Sequence, residues 1–384
     1  MKIVHIANFY SEKSGGIKTT INQLGILYQR IGYEFIYIVP GDKHGVELTP
    51  SGTKISLPSI PIPFSGGYRI IRSNRSIKQT LTVLRPERIE ISDRLSLRKI
   101  GLWARNRKIH AIVFSHESLE ALLVRFFKFE VFRRFAQWHN RRLSQSFDWV
   151  VTSTDYAARE FRNQNVKNLK RISLGVDLES FQPSSRDEEL RERLLAGSDI
   201  LLVHCGRLSV EKNPEQSLKV LRHLVDNGIK ARLIYVGMGP LFTKLQKAAI
   251  GYPVTFTGYV VGPKKVASYL ASADAVLSPG PHETFCLAAL EALACGTPVV
   301  ASVESAVKEI LCPDDGAWAG RVCSPDLEDW VEAILEICGN KRLRIAARNR
   351  AEQFPWSFTI DELNKLHAQP TEASHKENST WRAA

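Results

Sequence analysis

Short apolar runs alternate with helical patterns along the chain, and the alternation occurs in both halves. Alternating strands and helices predict a parallel sheet, because a helical crossover returns the chain to the edge where the next parallel strand begins. We therefore predict two doubly wound, Rossmann-like α/β domains. The predicted strands span residues 2–7, 35–39, 109–114 and 149–153 in the first half, and 200–205, 231–236, 254–257, 275–277 and 297–301 in the second.

The length supports the same division, since a chain of 384 residues is longer than a domain with a single hydrophobic core usually is. A polar stretch with proline and serine at 177–188 marks the predicted boundary. We assign residues 1–177 to a first domain, 178–354 to a second, 355–368 to a helix that returns to the first domain, and 369–384 to a disordered tail.

Two glutamates frame the start of one predicted helix in the second half. Glu283 follows a turn that ends a strand, and Glu291 lies inside the alanine-rich helix. Both side chains can face one cleft, where the unpaired N–H groups of the first turn form an anion site. On this stretch alone, a buried helix with two incidental acids is an equal alternative. The residues nearest these N–H groups are Thr284, Phe285 and Cys286.

A glycine and two cations follow another predicted strand. Gly206 comes directly after the strand at 200–205, and Arg207 and Lys212 follow it. Glycine lets a ligand approach the backbone closely, and two cations at a strand end suit a diphosphate. A surface ion pair is the alternative.

Further glycines follow strands at Gly15, Gly16 and Gly237. Gly15 and Gly16 permit backbone conformations that other residues resist, and their N–H groups suit a phosphate or a sugar, although a plain tight turn explains them equally well. The short Gly237-x-Gly239 is weak by itself. The chain has no G-x-x-x-x-G-K-[ST] pattern, so ATP hydrolysis and NAD chemistry are poorly supported.

The positive charge is concentrated in the first half of the chain. Residues 1–180 contain 29 Lys and Arg against 15 Asp and Glu, a net charge of +14, whereas residues 181–384 contain 23 against 25, a net charge of −2. A lobe that carries the whole basic excess suits a nucleic acid or an anionic membrane surface, and a solvated basic face without a partner is the alternative.

The six cysteines all lie in the second half and form no C-x-x-C pair, which argues against a zinc site and a disulfide framework. The chain has no run of 18 apolar residues, and its first ten residues contain no signal-peptide core. We expect reduced, mostly buried cysteines and a cytoplasmic protein.

The motifs at the predicted strand ends form an ordered set. They are Gly15-Gly16, LGVD at 174–177, GRLSVEKNP at 206–214, VGMGP at 236–240, FTGYV at 256–260 and Glu283-x7-Glu291. Over nearly the whole chain, the set resembles the retaining GT-B glycosyltransferases of family 4. Within that family, the stretches at 92–105, 114–123 and 278–293 look most like bacterial GDP-mannose-dependent mannosyltransferases that act on lipid acceptors. The implied fold has an N-terminal acceptor-binding domain and a C-terminal donor domain that face each other across a cleft.

The resemblance implies a role for each matching residue. Glu283 would hold hydroxyls of the donor sugar, and Glu291 would hold the ribose. Arg207 and Lys212 would bind the diphosphate, and His116 would contact the sugar from the opposite wall. Without the resemblance, a hydrogen-bonded structural histidine is the better explanation of His116. The implied catalytic set is Glu283, His116, Arg207 and Lys212, and the implied donor-binding set is Gly15, Gly16, Gly206, Arg207, Lys212, Gly237, Glu283, Thr284, Phe285, Cys286 and Glu291.

The resemblance also implies retention of the anomeric configuration, no metal ion and no cofactor beyond the nucleotide-sugar substrate. The predicted activity transfers a hexose, mannose from GDP-mannose, to a membrane glycolipid or phosphoinositide-type acceptor. A UDP-sugar-dependent glucosyl or galactosyl transferase is the alternative, and charge alone favours a basic nucleic-acid-binding protein. Thr284 and Cys286 depart from the family pattern, as does Ser305-Ala306, because glycine is frequent at these places.

The stretch at 119–147 interleaves aromatic and basic residues at a density that suits contact with anionic lipid. Packing on the sheet is the alternative for most of its aromatics. We predict a peripheral protein on the inner face of the plasma membrane, with no nucleic-acid partner. The residues assigned to membrane and acceptor contact are Arg125, Lys128, Arg133 and Arg134, with Phe64 from a predicted loop at 56–68.

Overall fold

The structure is a computed structural model in which the chain divides into two compact units. The first unit is formed by Met1–Ser173 together with the segment from Trp356 onward, and the second by Leu174–Pro355. The residues that the structure describes are 1–11, 15–63, 67–117, 119, 130–312 and 318–369.

The first unit is built around one β-sheet. Its strands and helices among the described residues are β1 (Lys2–Ile6), α1 (Gly16–Arg30), β2 (Glu34–Gly41), β3 (Gly45–Thr49), β4 (Gly52–Pro61), β5 (Arg69–Ile71), α2 (Asn74–Leu84), β6 (Arg88–Ile91), α3 (Arg98–Arg105), β7 (His110–Ser115), α4 (Glu130–Ser144), β8 (Trp149–Thr152), α5 (Asp155–Arg162) and β9 (Leu169–Arg171). Strands β4, β2, β1, β6, β7, β8 and β9 pair in this order and run parallel. The order reverses between β1 and β6, and ligands of doubly wound folds bind at such a reversal.

Burial explains why these segments form a central strand and its covering helix. In β1, Ile3, Val4 and Ile6 are completely buried, as is typical of a parallel strand with helices on both faces. In α1, Ile21, Leu24 and Tyr28 are also completely buried. Their spacing of three and four residues places them on one face of the helix, which packs on the sheet.

The second unit repeats the arrangement with a sheet of its own. Its strands and helices among the described residues are α6 (Glu188–Leu195), β10 (Ile200–Cys205), α7 (Pro214–Asp226), β11 (Ala231–Val236), α8 (Phe242–Ala248), β12 (Val254–Gly258), α9 (Pro263–Ser272), β13 (Ala275–Ser278), α10 (Leu287–Ala294), β14 (Val299–Ser302), α11 (Val307–Leu311), β15 (Gly320–Cys323), α12 (Leu327–Ile337) and α13 (Lys341–Ala351). The strand order is β12, β11, β10, β13, β14, β15, and every neighbouring pair is parallel.

The second sheet also reverses its strand order, between β10 and β13. Both sheets therefore have the doubly wound topology, which confirms the prediction of two Rossmann-like domains. Strands β10 and β11 coincide with the predicted strands at 200–205 and 231–236.

The last helix, α14 (Trp356–His367), belongs to the first unit. Thr359 Oγ1 donates to the carbonyl oxygen of Ser173 at 2.8 Å, and Arg88 Nε donates to the carbonyl oxygen of His367, also at 2.8 Å. These bonds attach both ends of α14 to the first unit, to which the chain returns after the second unit ends at Pro355.

The predicted loop at 56–68 is wrong in its first part, because β4 continues through Pro61. Its prolines suggested a loop, yet Pro58 comes after Ser56, the last residue whose partner lies in β3. Proline is tolerated where no ladder hydrogen bond needs its missing N–H. Phe64 lies outside the described residues.

No helix within the described ranges is long and apolar enough to cross a membrane. All six cysteines are free thiols. Cys295 and Cys323 are buried and the other four are partly buried.

Candidate active site

The loops after β10 and β11 approach each other closely enough to require glycine. Gly206 N–H donates to the carbonyl oxygen of Val236 at 2.9 Å, and Gly237 N–H donates to that of Gly258 at 2.9 Å. Both Gly206 and Gly237 have a φ near +145°, where other residues are strained. A Cβ on Gly237 would lie 1.9 Å from the oxygen of Gly206. Gly237 therefore shapes the loop at Gly206, and its own N–H is already bonded.

Lys212 and Glu283 form an ion pair at the point where the second sheet reverses its strand order. Lys212 ends a 3₁₀ turn after β10, and its Nζ lies 2.5 Å from Oε1 of Glu283, which follows β13. Gly280 allows the contact, because a Cβ there would lie 2.9 Å from the carbonyl oxygen of Glu211. The two predicted catalytic residues are thus brought together by neighbouring parallel strands.

The environment keeps Lys212 charged. Burial by itself opposes the ammonium, but the negative charge of Glu283 outweighs burial, and the pKa of Lys212 is raised above its usual value. The Glu283 side chain is 11% exposed. A cation and a carboxylate therefore stand together at the strand ends, where they offer a counter-charge to an anion and an acceptor to hydroxyl groups.

Helix α10 starts without a side-chain cap. Cys286, its N-cap, has a φ of +74°, the left-handed conformation that glycine adopts without strain. Within the described part of the chain, the backbone N–H groups of Phe285, Cys286 and Leu287 have no hydrogen-bond acceptor. They form the positive pole that the sequence predicts for an anion.

The side chains of Thr284, Phe285 and Cys286 lie against other parts of the second unit. Thr284 and Phe285 are buried, and the Phe285 ring meets that of Phe354 edge to face, with centroids 6.4 Å apart. Cys286 Sγ lies 3.4 Å from Ser278 Oγ. Burial, and then the charge of Glu283, raises the pKa of the Cys286 thiol. A thiol held in its neutral form is a poor nucleophile.

Glu291 lies on α10 and is partly buried. Burial raises the pKa of its carboxyl to about 8, with a further contribution from the charge of Asp177. The carboxyl is therefore mostly protonated at neutral pH. Asp177 is the last residue of the LGVD motif, which this electrostatic interaction couples to Glu291.

Arg207 is partly buried in the loop that runs from Gly206 to Lys212. Arg207 therefore lies after the end of β10, where the sequence predicts it. The ion pair at the centre of this site is formed by Lys212 and Glu283.

In the first unit, Gly15 caps α1 and Gly16 is its first residue. Gly15 has a φ of −82° and a ψ of −87°, so it does not adopt the left-handed conformation at positive φ. A Cβ on either glycine would meet no described atom within 4 Å. The pair instead leaves open space at the end of β1.

His116 comes directly after β7 and lines a pocket at the carboxyl ends of β1, β6 and β7. Its ring stacks on Phe114, with centroids 5.7 Å apart and planes 7° apart. Its Nε2 lies 2.8 Å from Ser92 Oγ. Burial lowers the pKa of His116 to about 4, with a smaller contribution from His5, so the ring is neutral at neutral pH.

Sequence reasoning missed Arg94, which lines the same pocket. It is 4% exposed, and its Nη1 donates to Ser115 Oγ and to the carbonyl oxygen of Glu117, each at 2.7 Å. It also pairs with Glu160. Arg94 therefore fixes the segment that carries His116. The available signal was an arginine in Ser92-Asp93-Arg94, directly after a strand.

Only part of the predicted membrane site can be placed. Arg125, Lys128 and Phe64 lie outside the described residues, and Arg133 lies in α4 with an undescribed side chain. Arg134 is exposed on the same helix.

Two family models divide the chain between them. "Glycosyltransferase Family 4" matches residues 14–180, and "Glycosyl transferases group 1" matches residues 185–354. A protein of Mycobacterium tuberculosis described as a GDP-mannose-dependent alpha-(1-6)-phosphatidylinositol dimannoside mannosyltransferase is 41% identical over 357 residues, 93% of each chain. The chain belongs to glycosyltransferase family 4. It is an enzyme of the class that the strand-end motifs predicted.

Solved structures of similar fold align with almost the whole length of this glycosyltransferase. Sucrose-phosphate synthase from Thermosynechococcus elongatus gives a TM-score of 0.76 at 20% identity, over 95% of this chain and 98% of its own. The Anabaena protein HepE in complex with UDP-glucose gives 0.73 at 17% identity, over the same shares of the two chains. These likenesses confirm the predicted GT-B fold class.

Proposed function

We infer that this glycosyltransferase transfers mannose from GDP-mannose to a phosphoinositide-type glycolipid. The observation that carries the proposal is the 41% identity, over 93% of both chains, to a relative described as a GDP-mannose-dependent phosphatidylinositol dimannoside mannosyltransferase. The ion pair between Lys212 and Glu283 supports it, because a sugar diphosphate needs both charges.

In this proposal the diphosphate is held by Lys212, Arg207 and the N-terminus of α10. As the glycosidic bond breaks, negative charge grows on the leaving diphosphate. Cations and free N–H groups that are already in place stabilise that charge without reorganising. The proposal therefore assigns the electrostatic work to protein groups and includes no metal ion or cofactor.

The two glutamates and His116 orient the donor. Glu283 accepts hydrogen bonds from the sugar hydroxyls, and Glu291 binds the ribose. His116 contacts the donor sugar. None of them is proposed as a covalent nucleophile, and the proposed product retains the α configuration of GDP-mannose. Gly206, Gly15 and Gly16 leave room beside the backbone for the donor.

The acceptor side is proposed to contact the cytoplasmic face of a membrane through α4. The exposed fractions of Phe135 and Trp138 are 49% and 51%, which is unusual for neighbouring large aromatics on one helix. The Arg142 guanidinium lies 5.4 Å from the centre of the Trp138 ring. Aromatic rings beside exposed arginines suit the boundary between acyl chains and anionic headgroups.

Vesicle binding tests the membrane proposal. Replacing Arg141 and Arg142, both exposed near the end of α4, with glutamine should weaken binding to vesicles that contain phosphatidylinositol, since each basic residue near an anionic surface contributes about 1 kcal/mol. The exposed pair Lys341 and Arg342, at the start of α13, provides a control with the same change in charge. Equal binding by both double variants would refute α4 as the membrane contact.

Donor binding tests the nucleotide. Calorimetry with GDP, GDP-mannose, UDP and UDP-glucose should give tight binding for the guanine nucleotides alone. Lys212→Ala should reduce the affinity for GDP at least tenfold, because it removes a charged partner of the diphosphate. Tighter binding of UDP-glucose than of GDP-mannose would contradict the proposal and favour the UDP-sugar alternative.

A further inference from the structure

The turn after β14 bonds to the backbone of Glu283 and of the residue before it. His282 N–H donates to the carbonyl oxygen of Glu304 at 3.3 Å, and Ala306 N–H donates to that of Glu283 at 2.8 Å. His282 has a φ of +71°, a left-handed conformation that is uncommon in residues other than glycine. Such a conformation persists where the surrounding structure holds it. The two hydrogen bonds therefore help to fix the direction in which the Glu283 side chain leaves the backbone.

Ser305 stabilises this turn from inside. Its hydroxyl donates to the carbonyl oxygen of Ser302, the last residue of β14, at 2.8 Å, and it accepts from the N–H of Val307 at 3.3 Å. A serine hydroxyl has one proton to donate and two lone pairs, so both bonds form together. Ser305 is 4% exposed, so water has little access to these bonds and does not replace the hydroxyl.

The sheet fixes the start of the turn. Ser302 pairs with Cys323 of β15, and Val303 N–H donates to the carbonyl oxygen of Cys323 at 2.9 Å. On its other side β14 pairs with β13, the strand that leads into the loop of Glu283. Because the first residues of the turn are held by the sheet, the Ser305 hydroxyl, which bonds to Ser302, fixes the rest of the turn against the same sheet.

Ser305 and Ala306 occupy the places where glycine is frequent in the family, and their N–H groups are both bonded within the protein. Ser305 N–H donates to the carbonyl oxygen of Ser302 at 3.3 Å, and Ala306 N–H donates to that of Glu283. In this conformation neither N–H is available to the sugar or the diphosphate of a donor. The contribution of the pair to the site is therefore made through Glu283.

We propose that Ser305 is a positioning residue, whose hydroxyl keeps the turn after β14 in the conformation that orients the Glu283 carboxylate for the donor sugar. Glu283 is then held in two ways, at its backbone by the turn and at its carboxylate by Lys212, 2.5 Å away. The part of this proposal that concerns the sugar rests on the proposed function, in which Glu283 accepts hydrogen bonds from sugar hydroxyls. Since GDP carries no sugar, loss of the Ser305 hydroxyl should weaken the binding of GDP-mannose and not that of GDP.

Hydrogen exchange resolved to single amides tests the positioning without reference to activity. In full-length Ser305→Ala, the amides of His282 and Ala306 should exchange about tenfold faster than in the wild type, because one hydrogen bond fewer opposes local opening. The amides of α7 should keep their wild-type rates. Unchanged rates at His282 and Ala306, or an equal rise in α7, would overturn the proposal.

A control serine in the same unit separates the turn from general effects of losing a hydroxyl. Ser268 Oγ donates to the carbonyl oxygen of Lys264 within α9 at 3.2 Å. Ser268→Ala removes the same group from a backbone carbonyl, and it should leave the exchange of the His282 and Ala306 amides unchanged. Faster exchange of these two amides in Ser268→Ala would contradict the assignment of the effect to the turn.

A second variant acts on the hydrogen bond to Glu283 itself. Ala306 has a φ of −70°, which suits proline, and the start of a helix tolerates the missing N–H. Ala306→Pro removes the donor to the carbonyl oxygen of Glu283 and should weaken the binding of GDP-mannose at least as much as Ser305→Ala does. A folded Ala306→Pro with wild-type affinity for GDP-mannose would overturn the proposal.

Calorimetry with GDP and GDP-mannose tests whether Ser305 acts through Glu283. Ser305→Ala should weaken the binding of GDP-mannose about tenfold, the size of one hydrogen bond to a charged group, and leave the affinity for GDP unchanged. In the Glu283→Ala background, Ser305→Ala should have no further effect, because the residue through which it acts is gone. Equal losses for the two ligands, or losses that add in the double variant, would overturn the positioning role.

The measurements also separate this proposal from the proposed function. If Glu283→Ala leaves the affinity for GDP-mannose unchanged, the proposed contact between Glu283 and the sugar fails. The exchange rates of the His282 and Ala306 amides in Ser305→Ala then still decide whether Ser305 holds the backbone of Glu283, with faster exchange supporting that role and unchanged exchange overturning it.

Discussion

Glu291→Gln should make the protein more stable at alkaline pH and a weaker nucleotide binder. Burial and Asp177 raise the pKa of the Glu291 carboxyl from 4.5 to about 8. The unfolded chain ionises near 4.5 and the folded chain near 8, so ionisation costs stability only in the folded state. The cost is absent below pH 4.5, grows as the pH rises, and is complete above pH 8.

The shift gives the magnitude of this effect. About 3.5 pKa units, at about 1.4 kcal/mol per unit, correspond to ~5 kcal/mol. Glu291 is partly exposed, and solvent screening lowers this to ~2–3 kcal/mol. A domain of this size shifts its Tm by about 2–4 °C for each kcal/mol. Glutamine cannot ionise, so the variant should melt about 5–10 °C above the wild type at pH 8.5 and close to it at pH 5.

Thermal unfolding followed by circular dichroism at both pH values measures the difference. Glu332→Gln is the control, because Glu332 is exposed on α12 of the same unit, and its effect on Tm should be the same at both pH values. A Tm difference for Glu291→Gln that does not grow with pH would refute the reasoning. Above pH 8 the same variant should bind GDP about tenfold more weakly, since an amide offers the ribose one acceptor oxygen where the ionised carboxylate of the wild type offers two.

Three further predictions concern the same unit. Lys212→Ala should remain folded and lose most turnover in a transfer assay; wild-type turnover would remove Lys212 from the site. Gly237→Ala should lower Tm by the equivalent of about 3 kcal/mol or more, because the new Cβ collides with Gly206, whereas Gly45→Ala, which meets no described atom within 4 Å, should have little effect. Asp177→Asn should bring the pKa of Glu291, followed by ¹³C NMR of its carboxyl, closer to 4.5, and an unchanged pKa would contradict the assigned repulsion.

The centre of the proposed donor site could be predicted from sequence because it depends on topology. Lys212 and Glu283 each follow an apolar run, and the carboxyl ends of parallel strands meet at one edge of a sheet. No contact between the two residues has to be known in advance. Order along the chain and the family motifs were enough to place them together.

Other features depend on contacts that no local pattern reveals. His5 and Glu90 are 85 residues apart in the chain, and Glu90 and His367 are 277 apart. Buried histidines of this kind look the same in a sequence whether they support a site or a core. The left-handed conformation of Cys286 was hidden for a similar reason, because its residue type gives no sign of a positive φ.

The edge strands β3, β9 and β15 were not predicted from sequence, and neither was the central strand β6, whereas the edge strand β12 was predicted at 254–257. β1, β10 and β11 are continuous buried runs, whereas β3 has exposed residues at its centre and pairs along one side with β4. An alternating or polar edge strand carries a weak hydrophobic signal. The prolines of β4 weakened that signal further.

The most direct test of the account is a transfer reaction in which both donors compete. Purified protein is incubated with equal amounts of GDP-mannose and UDP-glucose, labelled differently, and with vesicles that contain a phosphoinositide glycolipid extract. Mass spectrometry and NMR then identify the hexose added and its anomeric configuration. We predict a product with one α-linked mannose from GDP-mannose. A product labelled only from UDP-glucose, or a β-linked mannose, would contradict the account.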